Sequence, residues 1–143
     1  MAPADGSPRR GSVGRQVNLV LIRHAEAAPG DPDELRRLSP EGQEQASRLG
    51  EQLRAEGVQP DAVLTSPLLR ARDTAAALGF GEPEPLDALG PGATAEDVRA
   101  AIAGRGETVV VVGHQPDCSR ITAALRGGAE PVFPPAGAQI IEL

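Results

Sequence analysis

The most informative stretch of this chain is residues 17–24, VNLVLIRH. Its short apolar run is rich in branched residues, which is typical of a β-strand buried on both faces in a parallel sheet. The run ends at Arg23 and His24. In open α/β sheets the ligand crevice lies beside the carboxyl ends of the strands. The stretch therefore predicts a central buried strand with two polar side chains placed at a binding site.

A second run of this kind, residues 108–112, ends at Gly113 and His114. Helical and extended patterns alternate along the chain at the spacing of βαβ units. The expected strands are 17–22, 61–65, 108–112 and 138–143, and the expected helices are 40–56, 67–78, 94–103 and 116–125. The last connection is too short for a helix, so the last strand should be antiparallel to its neighbour. We predict an α/β fold, a three-layer α/β/α sandwich with a mostly parallel central sheet and an antiparallel edge strand.

Two of the helix starts share one local signature. Ser39-Pro40 and Ser66-Pro67 each offer a serine N-cap followed by proline at the first helical position. The second pair predicts a helix in which Arg70 lies one turn inside. On helical spacing alone, Arg70 would be interpreted as a surface residue paired with Asp73 or Thr74.

A chain of 143 residues with 40% apolar content suffices for one domain with one core. Residues 1–16, MAPADGSPRRGSVGRQ, are rich in Gly, Pro and Ser and lack hydrophobic periodicity. We therefore expect a disordered basic arm over residues 1–16 and a folded domain over residues 17–143. No segment approaches the roughly 18–20 apolar residues that span a bilayer, so we expect a cytoplasmic protein without a membrane partner.

The composition excludes several kinds of site. All fourteen basic residues are arginine, which excludes a Schiff-base lysine and the lysine of a phosphate-binding P-loop. Two histidines and one cysteine cannot assemble the usual zinc sites within one chain, and we expect neither a metal nor a cofactor. The chain has two phenylalanines, no tryptophan or tyrosine, and a net charge of −6. Nucleic acid is therefore not an expected partner.

The rare residues of the chain fall at strand ends. Both histidines, and the Arg23 beside one of them, directly follow predicted strands, so two strand ends should converge on one site. A neutral imidazole is a nucleophile near pH 7, and planar guanidinium groups bind phosphate oxygens bidentately. Arg70 can approach from a third direction, at the start of a helix whose amide groups also favour anions. This pattern is typical of phosphoryl chemistry.

Three segments resemble the signature of the histidine phosphatase superfamily, whose fold resembles that of phosphoglycerate mutase. Residues 21–25 (LIRHA) are similar to its LxRHG motif, residues 66–74 (SPLLRARDT) to its SPxxRAxxT segment, and residues 112–114 (VGH) to its strand-ending GH or SH element. In order and spacing the resemblance covers residues 17–143. The short length and the turns at 38–42 and 113–116 look most like the SixA-type phosphohistidine phosphatases.

The resemblance implies a metal-independent phosphatase. It implies that His24 attacks phosphorus in line and becomes a phosphohistidine, which water hydrolyses to release inorganic phosphate. Arg23, Arg70 and His114 are then expected to bind the phosphoryl oxygens through the transition state. To act as a cation His114 must be protonated, and a dianionic phosphoryl group favours that state by raising its pKa.

The chain departs from the family pattern at two positions. Ala25 stands where the signature has glycine, which adds a methyl group near the expected phosphate site. Many family members also carry a general acid in the loop that corresponds to residues 82–92, and SixA-like chains read DELxPG there. Here Ala88 takes the place of the glutamate, so Glu26 and Asp87 remain as candidate general acids. A weak acid matters less for phosphohistidine than for phosphate esters, because a protonated imidazole leaves readily.

The connections that could cover the site, residues 25–38 and 79–93, are short, so the pocket should be shallow and open. Such an opening fits a phosphorylated side chain on a protein, and we expect a monomeric enzyme that dephosphorylates phosphohistidine on proteins. The same openness suits a broad-specificity phosphatase of small phosphate esters. A third interpretation is a catalytically weak module that binds phosphate or phosphoproteins, which Ala25 and Ala88 favour.

Overall fold

The alternating pattern of the sequence folds into one mixed sheet flanked by helices. The structure is a computed structural model that describes residues 16–143, so the predicted arm lies outside the described residues except for Gln16. Within this range the strands are β1 (Asn18–Arg23), β2 (Ala62–Thr65), β3 (Glu84–Pro85), β4 (Thr108–Gly113) and β5 (Ala138–Glu142), and the α-helices are α1 (Pro40–Ala55), α2 (Leu69–Ala77), α3 (Ala95–Ile102) and α4 (Asp117–Arg126). Short 3₁₀ turns occur at Asp33–Leu35 and Asp87–Leu89. No helix of the described chain has the length and apolar content that crossing a bilayer requires.

The sheet has the strand order β3-β2-β4-β1-β5. Strands β1, β2, β3 and β4 are parallel, and β5 pairs antiparallel with β1, as its short connection predicts. In the register, Arg23 of β1 lies opposite Gly113 of β4, and Thr65 of β2 lies opposite Val112. Three central strands therefore end at the same edge of the sheet, and the residues that follow them are neighbours.

Alternate residues of the central strands enter two separate cores. Leu19 and Leu21 of β1 pack with buried residues of α3 and α4, such as Val98 and Ile121. The other face of β1 and β4 packs against α1 and α2 in a second cluster of buried residues, Val20, Ile22, Leu53, Val63, Ala71, Ala75, Leu78, Val110 and Val112. The period-2 alternation of a strand places one helix pair on each side. The prediction of a three-layer sandwich is confirmed.

The two helices with the Ser-Pro signature begin differently. At α1 the prediction is confirmed, because the Ser39 side chain accepts a hydrogen bond from the backbone N of Gly42 at 3.0 Å. At α2 the predicted N-cap is wrong, because Leu68 occupies the N-cap position and the helix starts at Leu69. The Ser66 hydroxyl accepts from the backbone N of Leu68 at 3.2 Å and lies 2.7 Å from a ring nitrogen of His114. A tertiary partner thus engages the side chain that local sequence assigns to capping.

Candidate active site

The ends of β1 and β4 border an open cavity of about 370 Å³, which we call the histidine cavity. Its lining residues are Arg23, His24, Ala25, Glu26, Ala27, Arg36, Arg70, Pro91, His114, Gln115 and Pro135. The expected nucleophile, His24, and the three residues expected to bind the phosphoryl oxygens are among them. Within residues 16–143 no group of three His, Cys, Asp or Glu side chains is placed to bind a metal ion. Arginine and imidazole nitrogens therefore dominate the chemistry of the cavity.

The two imidazoles meet because their strands are in register. Since Arg23 lies opposite Gly113, His24 and His114 are the next residues on two neighbouring parallel strands. The backbone N of His24 donates to the carbonyl oxygen of Gly113 at 3.0 Å, which continues the parallel ladder by one residue. The ring centroids are 5.3 Å apart and the rings are inclined by 62°. The sheet itself, more than any loop, sets the distance between the two rings.

The ring of His24 is fixed through Nδ1, which lies 2.7 Å from the carbonyl oxygen of Ala25. A carbonyl oxygen can only accept, so Nδ1 carries the proton. Nε2 then holds a lone pair, and no residue of the described range hydrogen bonds to it. Burial lowers the pKa of His24, and the positive charges of Arg70 and Arg23 act in the same direction. The neutral ring thus has an unprotonated Nε2.

His114 is 5% exposed, and its Nε2 lies 2.7 Å from the Ser66 hydroxyl oxygen. Burial lowers the pKa of His114 to about 4, with His24 and Arg70 acting in the same direction and Asp33 in the opposite one. The groups of the protein alone therefore favour the neutral ring at pH 7, and the expectation that a bound phosphoryl dianion protonates His114 stays a prediction.

Arg23, the last residue of β1, has one buried donor without a partner among the described residues. Its Nη1 donates to the carbonyl oxygen of Phe133 at 2.9 Å. Its Nε is buried and has no hydrogen-bond partner in the described part of the chain. Leaving a buried donor unpaired costs about 1–3 kcal/mol. Arg23 also lines the histidine cavity, together with His24 and Arg70.

Arg70 is the second residue of α2, not a residue one turn inside it, and at 8% exposed it does not lie on the helix surface. Its Nη1 donates to the carbonyl oxygen of Asp33 at 2.9 Å, and its Nη2 to the Asp33 carboxylate at 3.1 Å. The pairing of Arg70 with Asp73 does not occur, because Asp73 pairs with Arg37. Hydrogen bonds from Arg36 and Arg70 hold the pKa of Asp33 below its usual range. The loop before α1 thus fixes a guanidinium at the amino end of α2.

Two further lining residues, Arg36 and Gln115, are not indicated by the sequence analysis. Arg36 donates through Nε to the carbonyl oxygen of Ala28 at 3.0 Å and through Nη1 to Asp33 at 3.2 Å. It lies in an irregular loop without periodicity or motif, so no local signal distinguishes it among fourteen arginines. Gln115 directly follows His114, and its position just beyond the end of a parallel strand is a signal from which a place at the site could have been predicted.

Of the two candidate general acids, Glu26 lies at the histidine cavity and Asp87 does not. The Ser39 hydroxyl donates to Oε1 of Glu26 at 2.6 Å, and the backbone N of Glu26 donates to Gln45 at 2.9 Å. Asp87 is exposed in the turn Asp87–Leu89. The fold therefore brings Glu26, and not Asp87, to the two histidines.

Ala25 occupies the glycine position of the family signature without backbone strain. Its φ is not positive; among non-glycine residues of the described chain only Ala136 has a positive φ, of 59°. The Ala25 side chain is fully buried in a cluster with Leu38 and Ala46. Its backbone N donates to the Thr74 hydroxyl at 2.9 Å, which ties the segment after β1 to α2. The extra methyl group is accommodated in the core.

Sequence comparisons match residues 19–89 to the model of the histidine phosphatase superfamily, branch 1. An uncharacterized protein of Mycobacterium tuberculosis strain H37Rv is 36% identical over 110 residues, which is 73% of this chain and 69% of that protein. An uncharacterized protein of a Picosynechococcus strain is 32% identical over 123 residues, which is 78% of this chain and 74% of that protein. Both relatives are similar over most of their length.

Solved structures are similar over a larger share of the chain. The protein histidine phosphatase SixA, complexed with tungstate, has a TM-score of 0.79 at 27% identity. The match covers 87% of this chain and 86% of the SixA chain. A structure assigned to phosphohistidine phosphatase SixA from Agrobacterium tumefaciens has a TM-score of 0.75 at 26% identity, covering 87% of this chain and 90% of its own. By sequence and structure, this chain belongs to the SixA-type branch of the histidine phosphatase superfamily and is a phosphatase.

Proposed function

We propose that this phosphatase removes phosphoryl groups from phosphohistidine side chains of proteins, through a covalent intermediate on His24. Nε2 of His24 attacks phosphorus in line, and the P–N bond of the substrate breaks with its electron pair passing to the departing imidazole, which takes up a proton. Water then attacks phosphorus, the bond to His24 breaks, and inorganic phosphate leaves. The enzyme returns to its starting state without a metal.

The observation that carries this proposal is the state of the His24 ring. Nδ1 is committed to the Ala25 carbonyl at 2.7 Å, which keeps the lone pair on Nε2. Burial lowers the pKa of this ring, so the lone pair is available at neutral pH. An oriented, neutral imidazole with a lone pair on Nε2, beside two guanidinium groups, is what attack on a phosphoryl group requires.

The charges around His24 support binding of a phosphoryl group. Arg23 lines the histidine cavity at the end of β1, and Arg70 contributes a guanidinium at the first turn of α2. Fixed cations and helix amides placed where charge develops stabilise a transition state more than mobile ones do. SixA, the structural relative, is complexed with tungstate, which is a tetrahedral oxyanion like phosphate.

Glu26 is suited to supply the proton that the departing imidazole takes up. It is the one of the two candidate carboxylates that lines the histidine cavity, and the Ser39 hydroxyl orients it. Imidazole needs less help from an acid than an alkoxide does, because it is itself readily protonated. A site whose lining in the described chain has one carboxylate, exposed to solvent, therefore favours phosphohistidine over phosphate esters as the substrate.

The surroundings of the cavity favour a protein as the carrier of the phosphohistidine. The cavity of about 370 Å³ is open and is at the small end of ligand pockets, so it holds a phosphorylated side chain more readily than it encloses a large metabolite. Leu35, 57% exposed, is next to the lining residue Arg36, and Val132, 85% exposed, precedes Phe133, whose carbonyl oxygen binds Arg23. These apolar side chains offer contact area to a protein surface around the phosphorylated residue.

The nucleophile is tested by replacing His24 with alanine. We expect His24→Ala to abolish turnover and to form no acid-labile, base-stable phosphoenzyme in a rapid-quench experiment, because the other imidazole that lines the cavity, His114, is held through Nε2 against the Ser66 hydroxyl. Arg72→Ala, an exposed change two residues after Arg70, is the control and should keep both signals. Unchanged turnover in His24→Ala would contradict the proposed mechanism.

The substrate is tested by competition between a phosphohistidine-bearing phosphotransfer protein and small phosphate esters. We expect kcat/KM to favour the phosphoprotein over both an alkyl and an aryl phosphate. A preference for the esters would instead support a broad-specificity phosphomonoesterase, which the openness of the cavity also accommodates.

A further inference from the structure

The hydroxyl group of Ser66 lies against the ring of His114 at the end of two neighbouring strands. Ser66 follows β2 and His114 follows β4, and the register places Thr65 opposite Val112. The Ser66 oxygen is 2.7 Å from Nε2 of His114, and both residues are buried, at 0% and 5% exposure. The contact is therefore short and shielded from solvent. Its direction decides whether the Ser66 hydroxyl or Nε2 of His114 is the donor.

The hydrogen bonds of Ser66 determine which atom donates. Its oxygen accepts from the backbone N of Leu68 at 3.2 Å. Its single proton must find an acceptor because the residue has no access to water, and buried hydroxyl groups are rarely left unpaired. Among residues 16–143, the acceptor within hydrogen-bond distance of the Ser66 hydroxyl is Nε2 of His114, at 2.7 Å. Ser66 therefore donates to Nε2.

We infer that Ser66 is a positioning residue that holds neutral His114 in the tautomer protonated at Nδ1. An Nε2 atom that accepts from a hydroxyl group cannot carry a proton in the neutral ring, so the proton lies on Nδ1. Nδ1 has no protein partner in the described chain, and the ring lines the histidine cavity. Neutral His114 therefore offers an N–H donor to a phosphoryl oxygen without first becoming a cation.

Both imidazoles are thus held in the tautomer protonated at Nδ1, but they are anchored to the protein through different ring nitrogens. His24 is anchored by its protonated Nδ1, on the carbonyl oxygen of Ala25, and leaves the lone pair of Nε2 free. His114 is anchored by the lone pair of its Nε2, on Ser66, and leaves the proton of Nδ1 free. One ring can attack phosphorus while the other stabilises a phosphoryl oxygen, and the low pKa of His114 does not remove its donor. This inference rests on the proposed phosphoryl chemistry for its catalytic consequence, but the tautomer stands on geometry alone.

The tautomer is tested by ¹⁵N nuclear magnetic resonance of the full chain, labelled at histidine and prepared without a histidine tag. The chain has only two histidines, so two imidazoles appear, and the spectrum of His24→Ala assigns the remaining one to His114. At pH 7 we expect the Nδ1 resonance of His114 to be that of a protonated nitrogen and Nε2 that of an unprotonated one. The reverse pattern, or a doubly protonated ring, would overturn the inference whatever the fate of the proposed function.

The catalytic consequence is tested with Ser66→Ala and Ser66→Thr. Loss of the hydroxyl frees His114 to place its proton on Nε2, so we expect kcat for an aryl phosphate to fall about tenfold or more in Ser66→Ala, with the Nδ1 and Nε2 resonances exchanging character. Ser66→Thr keeps the hydroxyl and should restore both signals. Thr122→Ala removes another fully buried hydroxyl, which donates to Cys118, and should change neither. Wild-type kcat in Ser66→Ala would contradict the inference.

Discussion

At the scale of single residues, the two histidines show how one chemical group acquires two roles from its neighbours. Burial lowers the pKa of both, so neither is a cation at neutral pH. What distinguishes them is the partner of each ring: the carbonyl oxygen of Ala25 for His24 and the hydroxyl of Ser66 for His114. In the proposed mechanism, an acceptor partner leaves His24 as a nucleophile and a donor partner leaves His114 as a hydrogen-bond donor, although both rings have the same tautomer.

The lowered pKa of His114 predicts how stability depends on pH. In the unfolded chain this ring takes up a proton as the pH falls through about 6.5, whereas in the folded protein it does so near a pKa of about 4. The unfolded state binds more protons between these two pKa values. The contribution of His114 to the free energy of unfolding is therefore fully present above the unfolded pKa of about 6.5 and is lost as the pH falls towards 4. We expect His114 to account for a loss of about 2 kcal/mol between pH 7 and pH 5.

Urea unfolding of the wild type and of His114→Gln at both pH values measures this loss. The variant lacks the titrating ring, so its stability should fall by correspondingly less over the same interval. Equal losses in the two proteins would show that His114 titrates alike in the folded and unfolded chains, against the direction of its pKa shift.

The sequence predicts the residues that follow regular strands better than those in irregular loops. Arg23, His24 and His114 could be placed together because the ends of parallel strands converge, and β1 and β4 are in fact neighbours. Arg36 could not be placed at the site in this way, because its position depends on the path of the loop between β1 and α1, and the sequence of this loop has no hydrophobic periodicity. The role of Ser66 also escaped prediction, since its contact with His114 arises from strand order and not from local sequence.

At the scale of elements, α1 shows how small side chains allow two helices and a loop to approach closely. Its buried face carries Gly42, Ala46, Gly50 and Leu53, spaced so that all point to one side. A Cβ atom at Gly50 would lie 2.0 Å from the carbonyl oxygen of Leu78, and one at Gly42 would lie 2.0 Å from that of Glu26. Both positions need glycine for close approach, although neither has a positive φ. The first contact packs α1 on the end of α2, and the second places the segment that carries Glu26.

Gly50→Ala tests this close packing away from the histidine cavity. In a helix, replacing glycine by alanine normally adds about 0.5–1 kcal/mol of stability, but here the new methyl group meets backbone that cannot move without parting α1 from α2. We expect the free energy of unfolding to fall by about 1–3 kcal/mol, as in other overpacked cores. Ser47→Ala, at an exposed position of the same helix, is the control and should change it by less than about 0.5 kcal/mol. A Gly50→Ala protein as stable as the wild type would contradict the packing argument.

At the scale of the whole molecule, the exposed apolar side chains are unevenly distributed. The large hydrophobic residues exposed in the described chain are Leu35, Val132 and Ile140. The first two adjoin residues that line or support the histidine cavity. Ile140 lies on β5 opposite Val20, in a separate surface depression with Asn18 and Thr108, the first residues of β1 and β4. Leu35 and Val132 thus belong to two segments, far apart in sequence, that contribute Arg36 and the carbonyl oxygen of Phe133 to the surroundings of the histidines.

This distribution predicts how activity on a protein separates from activity on a small molecule. If a phosphoprotein buries Leu35 and Val132 when its phosphohistidine enters the cavity, replacing both by serine removes apolar contact area worth about 1–2 kcal/mol. We expect the Leu35→Ser/Val132→Ser variant to lose roughly tenfold in kcat/KM towards the phosphoprotein. Its kcat/KM towards an aryl phosphate should stay near that of the wild type, because neither side chain lines the cavity. Ile140→Ser, an exposed apolar site in the middle of β5 and outside the lining of the cavity, should leave both values unchanged. An equal loss on both substrates in the double variant would exclude docking through Leu35 and Val132.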